Sequence, residues 1–370
     1  MNHIHIPTGL GLRKPRTEER KGRYGLTFDE LFDYTTLFND VINVGDRTVC
    51  VGPPLYGMES EIRFNSPMAF KKLDRASLLE LDTTDDTLVM TYPGGRQEIQ
   101  VTYKSDMFSG MDVLVTKQKN EPLHWIHEWV TYYSKEYGVR GFCFYNNNCT
   151  AYTVDEMKEY LSTIDNVTIE VLEYNVPFGP GAPWMHDYCE YVMLEHFKHK
   201  YAWCARMILH HDIDELLVTT EDITLDVIYN QLRQTDTSGI MYGTVNIDPY
   251  SFKYQTSARN LPREDVHFKD FCHYLDSMNP TSLAGRFTHT KWMLIPQMSM
   301  NTQWNTHSIS NAATIQKKPR SIYMAHFFPM NSNNKNFKGV KFIKDLSTAD
   351  PSELVRDTLL ETRLTRAFSS

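Results

Sequence analysis

Two carboxylates one residue apart, Asp212 and Asp214, follow the apolar run Met207-Ile-Leu-His-His and precede Glu215-Leu-Leu-Val. If the strand continues through them, alternate side chains share a face and both acids point at one object beyond the strand end. Close like charges need a shared proton or a cation. A divalent ion held by oxygen ligands, with phosphates on its other side, meets that need. One acid capping the next turn and the other lying in water would also account for an isolated Asp-x-Asp, so the surroundings decide.

Three other groups bear on the pair. Thr116-Lys-Gln-Lys-Asn-Glu121 follows an apolar strand and precedes a helix. It offers donors for phosphate and amides for a base or ribose, although Asn120 alone could simply cap the helix. Tyr145-Asn-Asn-Asn148 follows the next strand and by itself reads as a turn. His307 lies in Trp304-Asn-Thr-His-Ser, and its neutral imidazole could complete a coordination sphere begun by Asp212 and Asp214. His210 and His211 are read as packing residues, and Glu215 as ordering the turn.

The elements that position these residues alternate. Met111 to Thr116 reads as a buried strand. Leu123, Ile126, Val130, Tyr133 and Tyr137 then follow helical spacing, with Pro122 before them and Gly138 after. Gly141 to Tyr145 is a second strand, Thr153-Val-Asp-Glu156 a capping box opening a helix, and Thr168 to Leu172 a third strand. Met185, Tyr188, Cys189, Val192, Met193 and Phe197 form a helical stripe leading into the strand that ends at the acid pair. Such alternation predicts an α/β fold, a mainly parallel sheet flanked by helices, with ligands at the carboxyl ends of its strands.

The expected boundaries are a flexible basic arm over 1–25, a β-rich region over 26–108, the α/β domain over 109–345 and a terminal helix over 346–370. The β-rich region reads as an antiparallel appendage, with a hairpin turning at Pro93-Gly-Gly. The basic arm suggests a peripheral membrane or partner contact at most.

A net charge of −8 gives no pull toward nucleic acid. Six cysteines without a Cys-x-x-Cys pair argue against structural zinc and a disulfide framework, and predict reduced thiols in a cytoplasmic setting. No apolar run is long enough for a transmembrane segment.

The ordered set Val115-Thr-Lys-Gln-Lys-Asn-Glu-Pro-Leu-His-Trp-Ile-His-Glu-Trp, Gly138-Val-Arg-Gly-Phe-Cys-Phe-Tyr-Asn-Asn-Asn148 and Asp212-Ile-Asp-Glu215 resembles glycosyltransferase family 92 and its GT-A-fold relatives. His186-Asp-Tyr-Cys189, Lys291 to Pro296 with His307, and Ala325-His-Phe-Phe with Lys338-Gly339 resemble further motifs of that family, over about residues 111–340. Asn146 departs from it, standing where Asp is usual, as does His186, which replaces an Asn.

The resemblance implies transfer of a sugar from a nucleotide diphosphate sugar to a glycan or other hydroxyl acceptor, with inversion and with Mn2+ or Mg2+. It implies Asp212, Asp214 and His307 as metal ligands, and Thr116, Lys117, Asn120, Glu121, Asn146, Asp187 and Lys291 around the donor. Asp248 and Asp270 are the candidate catalytic bases, and His326 would position acceptor or phosphate. Two rival readings stand beside it: a haloacid dehalogenase-like phosphatase with Asp212 as nucleophile, and a non-catalytic carbohydrate-binding protein.

Overall fold

A computed structural model of the chain describes residues 1–7, 26–180, 188–251, 253, 265–275, 289–317, 321–327, 330, 344–345, 350 and 352–369. The main sheet contains β1 (Asp112–Gln118), β2 (Gly141–Asn146), β3 (Thr168–Glu173), β4 (Met207–His210), β5 (Glu215–Thr219), β6 (Gly239–Ile247), β7 (Thr290–Leu294), β8 (Thr314–Lys317) and β9 (Ile322–Phe327). Its order is β3-β2-β1-β4-β7-β6-β9-β5, with β8 paired to β6.

β1, β2, β3 and β4 run parallel, whereas β7 is antiparallel to both β4 and β6. The parallel half is therefore as expected, and the sheet as a whole is mixed. Val113, Leu114 and Val115 on β1 are completely buried, as a parallel strand covered on both faces requires.

Helix α1 (Leu123–Tyr137) buries Trp125, Ile126, Trp129, Val130, Tyr132 and Tyr133. It stops at Gly138, whose left-handed φ of 67° suits glycine, and whose N–H returns to Ser134 O at 3.0 Å. Helix α2 (Val154–Leu161) opens on the predicted box: Glu156 N–H donates to Thr153 Oγ1 at 3.2 Å, and Thr153 N–H donates to Glu156 at 2.7 Å. Helix α3 (Cys189–Lys200) carries Cys189, Val192, Met193 and Phe197 of the apolar stripe, whereas Met185 lies outside the described residues. Helices α4 (Leu225–Gln234) and α5 (Thr358–Phe368) complete the set used below.

The β-rich region forms a five-stranded and a three-stranded sheet. The Tyr92–Gly95 hairpin turns on Pro93-Gly94 as predicted. Ile42, Val49, Val51 and Leu78 of this region share one buried core with Val113, Val115, Phe197 and Trp292. Instead of hanging off the α/β sheet, the region is welded onto it. A buried chain of hydrogen bonds marks the seam: Asp40 Oδ2 meets His196 Nε2 at 3.0 Å, and His196 Nδ1 meets Tyr145 Oη at 2.6 Å.

No helix among the described residues is long and apolar enough to cross a membrane. The basic arm, apart from its first seven residues, lies outside the described residues, as do His186, Asp187, Lys338, Gly339 and the Asn-rich stretch from Asn331.

Candidate active-site cleft

β2 and β3 lie on one side of β1 and β4 lies on the other, so the chain's direction of winding reverses between β1 and β4. A crevice opens outside the carboxyl ends of strands at such a reversal. Here a cleft of about 770 Å³ occupies that place. Lys117, Gln118 and Lys119 come from the end of β1, Asn147 and Asn148 follow β2, and Pro177, Phe178 and Gly179 lie beyond β3. Asp212, Ile213 and Asp214 follow β4, and Glu190 starts α3.

The acid pair reaches the cleft differently from the expected course. The strand stops at His210, and Glu215 N–H donates to Asp212 O at 3.1 Å, closing a turn. The alternation of an extended strand is thus lost before Asp212, and the turn brings both acids to one cleft. Helix α1 holds that turn from beneath. Trp129 Nε1–H donates to the carbonyls of Asp212 and Glu215 at 3.0 and 3.1 Å. Tyr133 Oη bonds His211 Nδ1 at 2.8 Å and Glu215 O at 3.1 Å. His211 is wholly buried there as a packing residue, and Glu215 orders the turn by accepting Asp212 N–H at 2.9 Å. In the sequence Tyr133 read only as a member of an apolar stripe and Trp129 only as part of the segment that resembles family 92; the polar atoms of their rings were the available signal.

Each acid has its own basic partner. Lys291, entirely buried on β7, places Nζ 2.7 Å from Asp212 Oδ2 and 3.0 Å from Glu215 Oε2. Burial opposes ionisation of Asp212, but Lys291, with His210 and Lys117, holds its carboxyl far below the usual range. Burial pushes Glu215 up to about 7 even against the attraction of Lys291. His326 Nε2 lies 3.2 Å from Asp214 Oδ2, and its Nδ1 lies 3.2 Å from Asn246 Oδ1. The register sets this row, since His326 on β9 is paired with Glu215 on β5 and with Asn246 on β6. Burial disfavours the imidazolium of His326, yet Asp214 raises its pKa above the ordinary value.

The expected three-ligand metal centre is not assembled. His307 is exposed and donates from Nδ1 to Thr290 O at 3.1 Å. Among the described residues no group of three His, Cys, Asp or Glu side chains is gathered to hold a metal ion. The physical reason is local: Lys291 and His326 each take one oxygen of an aspartate, and His307 is bonded to the backbone carbonyl of Thr290 at the start of β7. Two features nevertheless fit a cation that arrives with a ligand. The side chain of Asp212 stays 40% exposed, and the described lining carries five carboxylates (Glu30, Glu121, Glu190, Asp212, Asp214) against Lys117 and Lys119.

Lys117 lies 3.4 Å from Glu190 Oε1, with its ammonium 5.0 Å from the Phe178 ring centroid. Glu121 lines the cleft, and its carbonyl accepts Tyr152 Oη–H at 2.6 Å. Thr116 is fully buried and does not line it. Asn120 neither caps α1 nor faces the cleft; from a left-handed φ of 57° its Oδ1 accepts Thr150 N–H at 2.7 Å and Ala151 N–H at 3.1 Å. Asn146 is buried and accepts from Gln118 Nε2. These two amides build the strand ends, whereas Asn147 and Asn148 lie at the surface of the cleft.

Asp248 and Asp270 each accept a backbone N–H. Asp248 Oδ2 accepts Leu275 N–H at 3.1 Å. Asp270 Oδ2 accepts His267 N–H at 2.9 Å and meets Lys253 Nζ at 3.1 Å. Neither is among the cleft residues.

No family model matches this chain, and no curated protein matches it. Among solved structures, HddC from Yersinia pseudotuberculosis complexed with GMP-PN is similar at 8% identity, with a TM-score of 0.26 over 59% of this chain and 90% of that one. UDP-glucose pyrophosphorylase complexed with UDP-glucose is similar at 9% identity, with a TM-score of 0.25 over 59% and 90%. TM-scores this low fall short of a shared fold, so the mixed α/β class rests on the sheet itself.

Proposed function

We propose that the cleft binds a nucleotide diphosphate sugar and that the protein is a glycosyltransferase, as its resemblance to family 92 of the GT-A enzymes implies. The observation that carries this reading is the meeting of Lys117, at the end of β1, with Asp212 and Asp214, after β4, in one cleft at the reversal point of the parallel half.

A diphosphate entering a cleft with five carboxylates and two lysines meets net repulsion. The outer oxygens of Asp212 and Asp214 would hold Mn2+ or Mg2+ together with the phosphates, a mode that needs only one or two protein carboxylates. Such an ion supplies charge neutralisation for the leaving diphosphate. The chain's own residues do the rest. Lys291 keeps Asp212 ionised, His326 fixes Asp214, and the α1 ring atoms keep the turn rigid.

In the transfer, an acceptor oxygen forms a bond to the anomeric carbon while the carbon–oxygen bond to the diphosphate breaks. The bonding pair leaves with the diphosphate, and the acceptor proton passes to a base. A single displacement of this kind inverts the anomeric centre. Release of nucleoside diphosphate from a panel of nucleotide sugars, with Mn2+ and simple glycoside acceptors, tests the reading. Asp214→Ala should abolish turnover; full metal-dependent turnover in that variant would refute it.

A further inference from the structure

The cleft is not closed by the α/β sheet alone. Leu26, Glu30 and Leu31, from the start of the β-rich region, line it together with Pro177 and Phe178. A one-turn helix, Phe28–Leu31, carries Glu30 and Leu31, opened by a capping box in which Glu30 N–H donates to Thr27 Oγ1. Phe28 and Phe32 anchor the segment: both are buried, with rings 5.3 Å apart. Asp33 N–H donates to Tyr188 Oη at 3.3 Å, tying the segment to the start of α3. In contrast, Leu26 stays 45% exposed and presents apolar surface at the mouth of the cleft.

The polar groups sharing this cleft suit the flat edge of a heterocycle. Asn147 is 3% exposed, and its Nδ2 is spent on the carbonyls of Tyr174 and Val176 at 2.9 and 2.8 Å. Its carbonyl oxygen has no protein donor among the described residues, so it is available to accept an N–H from a ligand. Aliphatic and aromatic surface beside a fixed amide acceptor is what a planar base needs, whereas a diphosphate needs cations.

We propose that the N-terminal segment Leu26–Leu31 is a wall of the nucleotide site, covering the base of a nucleoside diphosphate with Leu26 and Leu31 while Asn147 Oδ1 accepts from the base edge. This assigns the β-rich region a role in donor binding, and it rests on the nucleotide-sugar reading above.

The full chain and its Leu26→Ser/Leu31→Ser variant are titrated calorimetrically with UDP, with GDP and with pyrophosphate, each with Mn2+. Leu26→Ser alone, at an exposed position, guards against a folding defect. The expected result is roughly a ten-fold loss of nucleoside diphosphate affinity in the double variant, equivalent to about 1.4 kcal/mol, with pyrophosphate affinity held within about two-fold. Unchanged nucleotide affinity, or equal loss for pyrophosphate, overturns the wall and leaves the donor reading standing. If the wild-type chain takes neither UDP nor GDP, the donor reading falls and the wall falls with it.

Discussion

Lys291 lies wholly inside the protein with its ammonium 2.7 Å from Asp212 Oδ2, so the first acid of the pair is neutralised by the chain before any ligand arrives. The same ammonium lies 3.0 Å from Glu215 Oε2, which makes it the shared partner of two carboxyl groups at the cleft floor.

Replacing Lys291 by Met should therefore leave Glu215 buried without its cation. Loss of one partner from a buried pair costs about 3–5 kcal/mol. Chemical denaturation should show a loss of that order, partly restored in Lys291→Met/Glu215→Gln. A loss below about 1 kcal/mol would mean that the acid turn does not depend on Lys291.

The seam between the β-rich region and the α/β sheet predicts an acid-sensitive fold. Burial alone would raise the Asp40 pKa, but its bond to His196 and the nearby Lys200 bring it down from 3.8 to about 2. A depressed carboxyl stabilises the fold above its unfolded pKa, and that stability is lost as pH falls from about 4 toward 2. The shift is worth on the order of 2 kcal/mol. Asp40→Asn should remove this acid limb from the stability profile and lower stability at neutral pH.

His326 works in the opposite direction. Burial works against its charge, yet Asp214 raises its pKa above the ordinary 6.5. Its contribution is fully present below about 6.5 and is lost as pH rises through the elevated folded value. Stability measured from pH 6 to 9 should decline in the wild type and decline less in His326→Gln. Identical slopes would show that the Asp214–His326 contact is not ionic.

Asp248 and Asp270 each accept a backbone N–H, so Asp248→Asn and Asp270→Asn should each cost about 1 kcal/mol of stability and leave nucleotide affinity unchanged. Retained stability with lost turnover in either variant would return that residue to the role of base.

Much of the parallel half was legible in the sequence. The helical spacing of Leu123 to Tyr137, the stop at Gly138 and the box at Thr153 and Glu156 correspond to α1 and α2 because those signals are local. The carboxyl-end location of the acid pair followed from the strand–helix alternation. What was not legible depends on contacts distant in sequence. Lys291 is 79 residues from Asp212, and His326 is 112 from Asp214. Neither distance leaves a trace in periodicity, so the side-chain partners of the two acids could not be read from the sequence. Asn120 and Asn146 looked like ligand amides because a strand-end loop and a ligand loop use the same residue types. The wall formed by Leu26 and Leu31 gave no signal, since a region that packs onto another sheet shows its own strand pattern and not the cleft it faces.

The most direct test of the central claim is thermal unfolding of the wild type and of Asp214→Ala with UDP or GDP, with and without Mn2+. A nucleotide bound at 100 times its Kd should stabilise the wild type by about 2.7 kcal/mol through mass action. The account predicts this gain for at least one nucleotide in the presence of Mn2+, and its disappearance in Asp214→Ala. No gain with either nucleotide, or a full Mn2+-dependent gain in Asp214→Ala, would contradict a nucleotide-sugar site built on the acid pair.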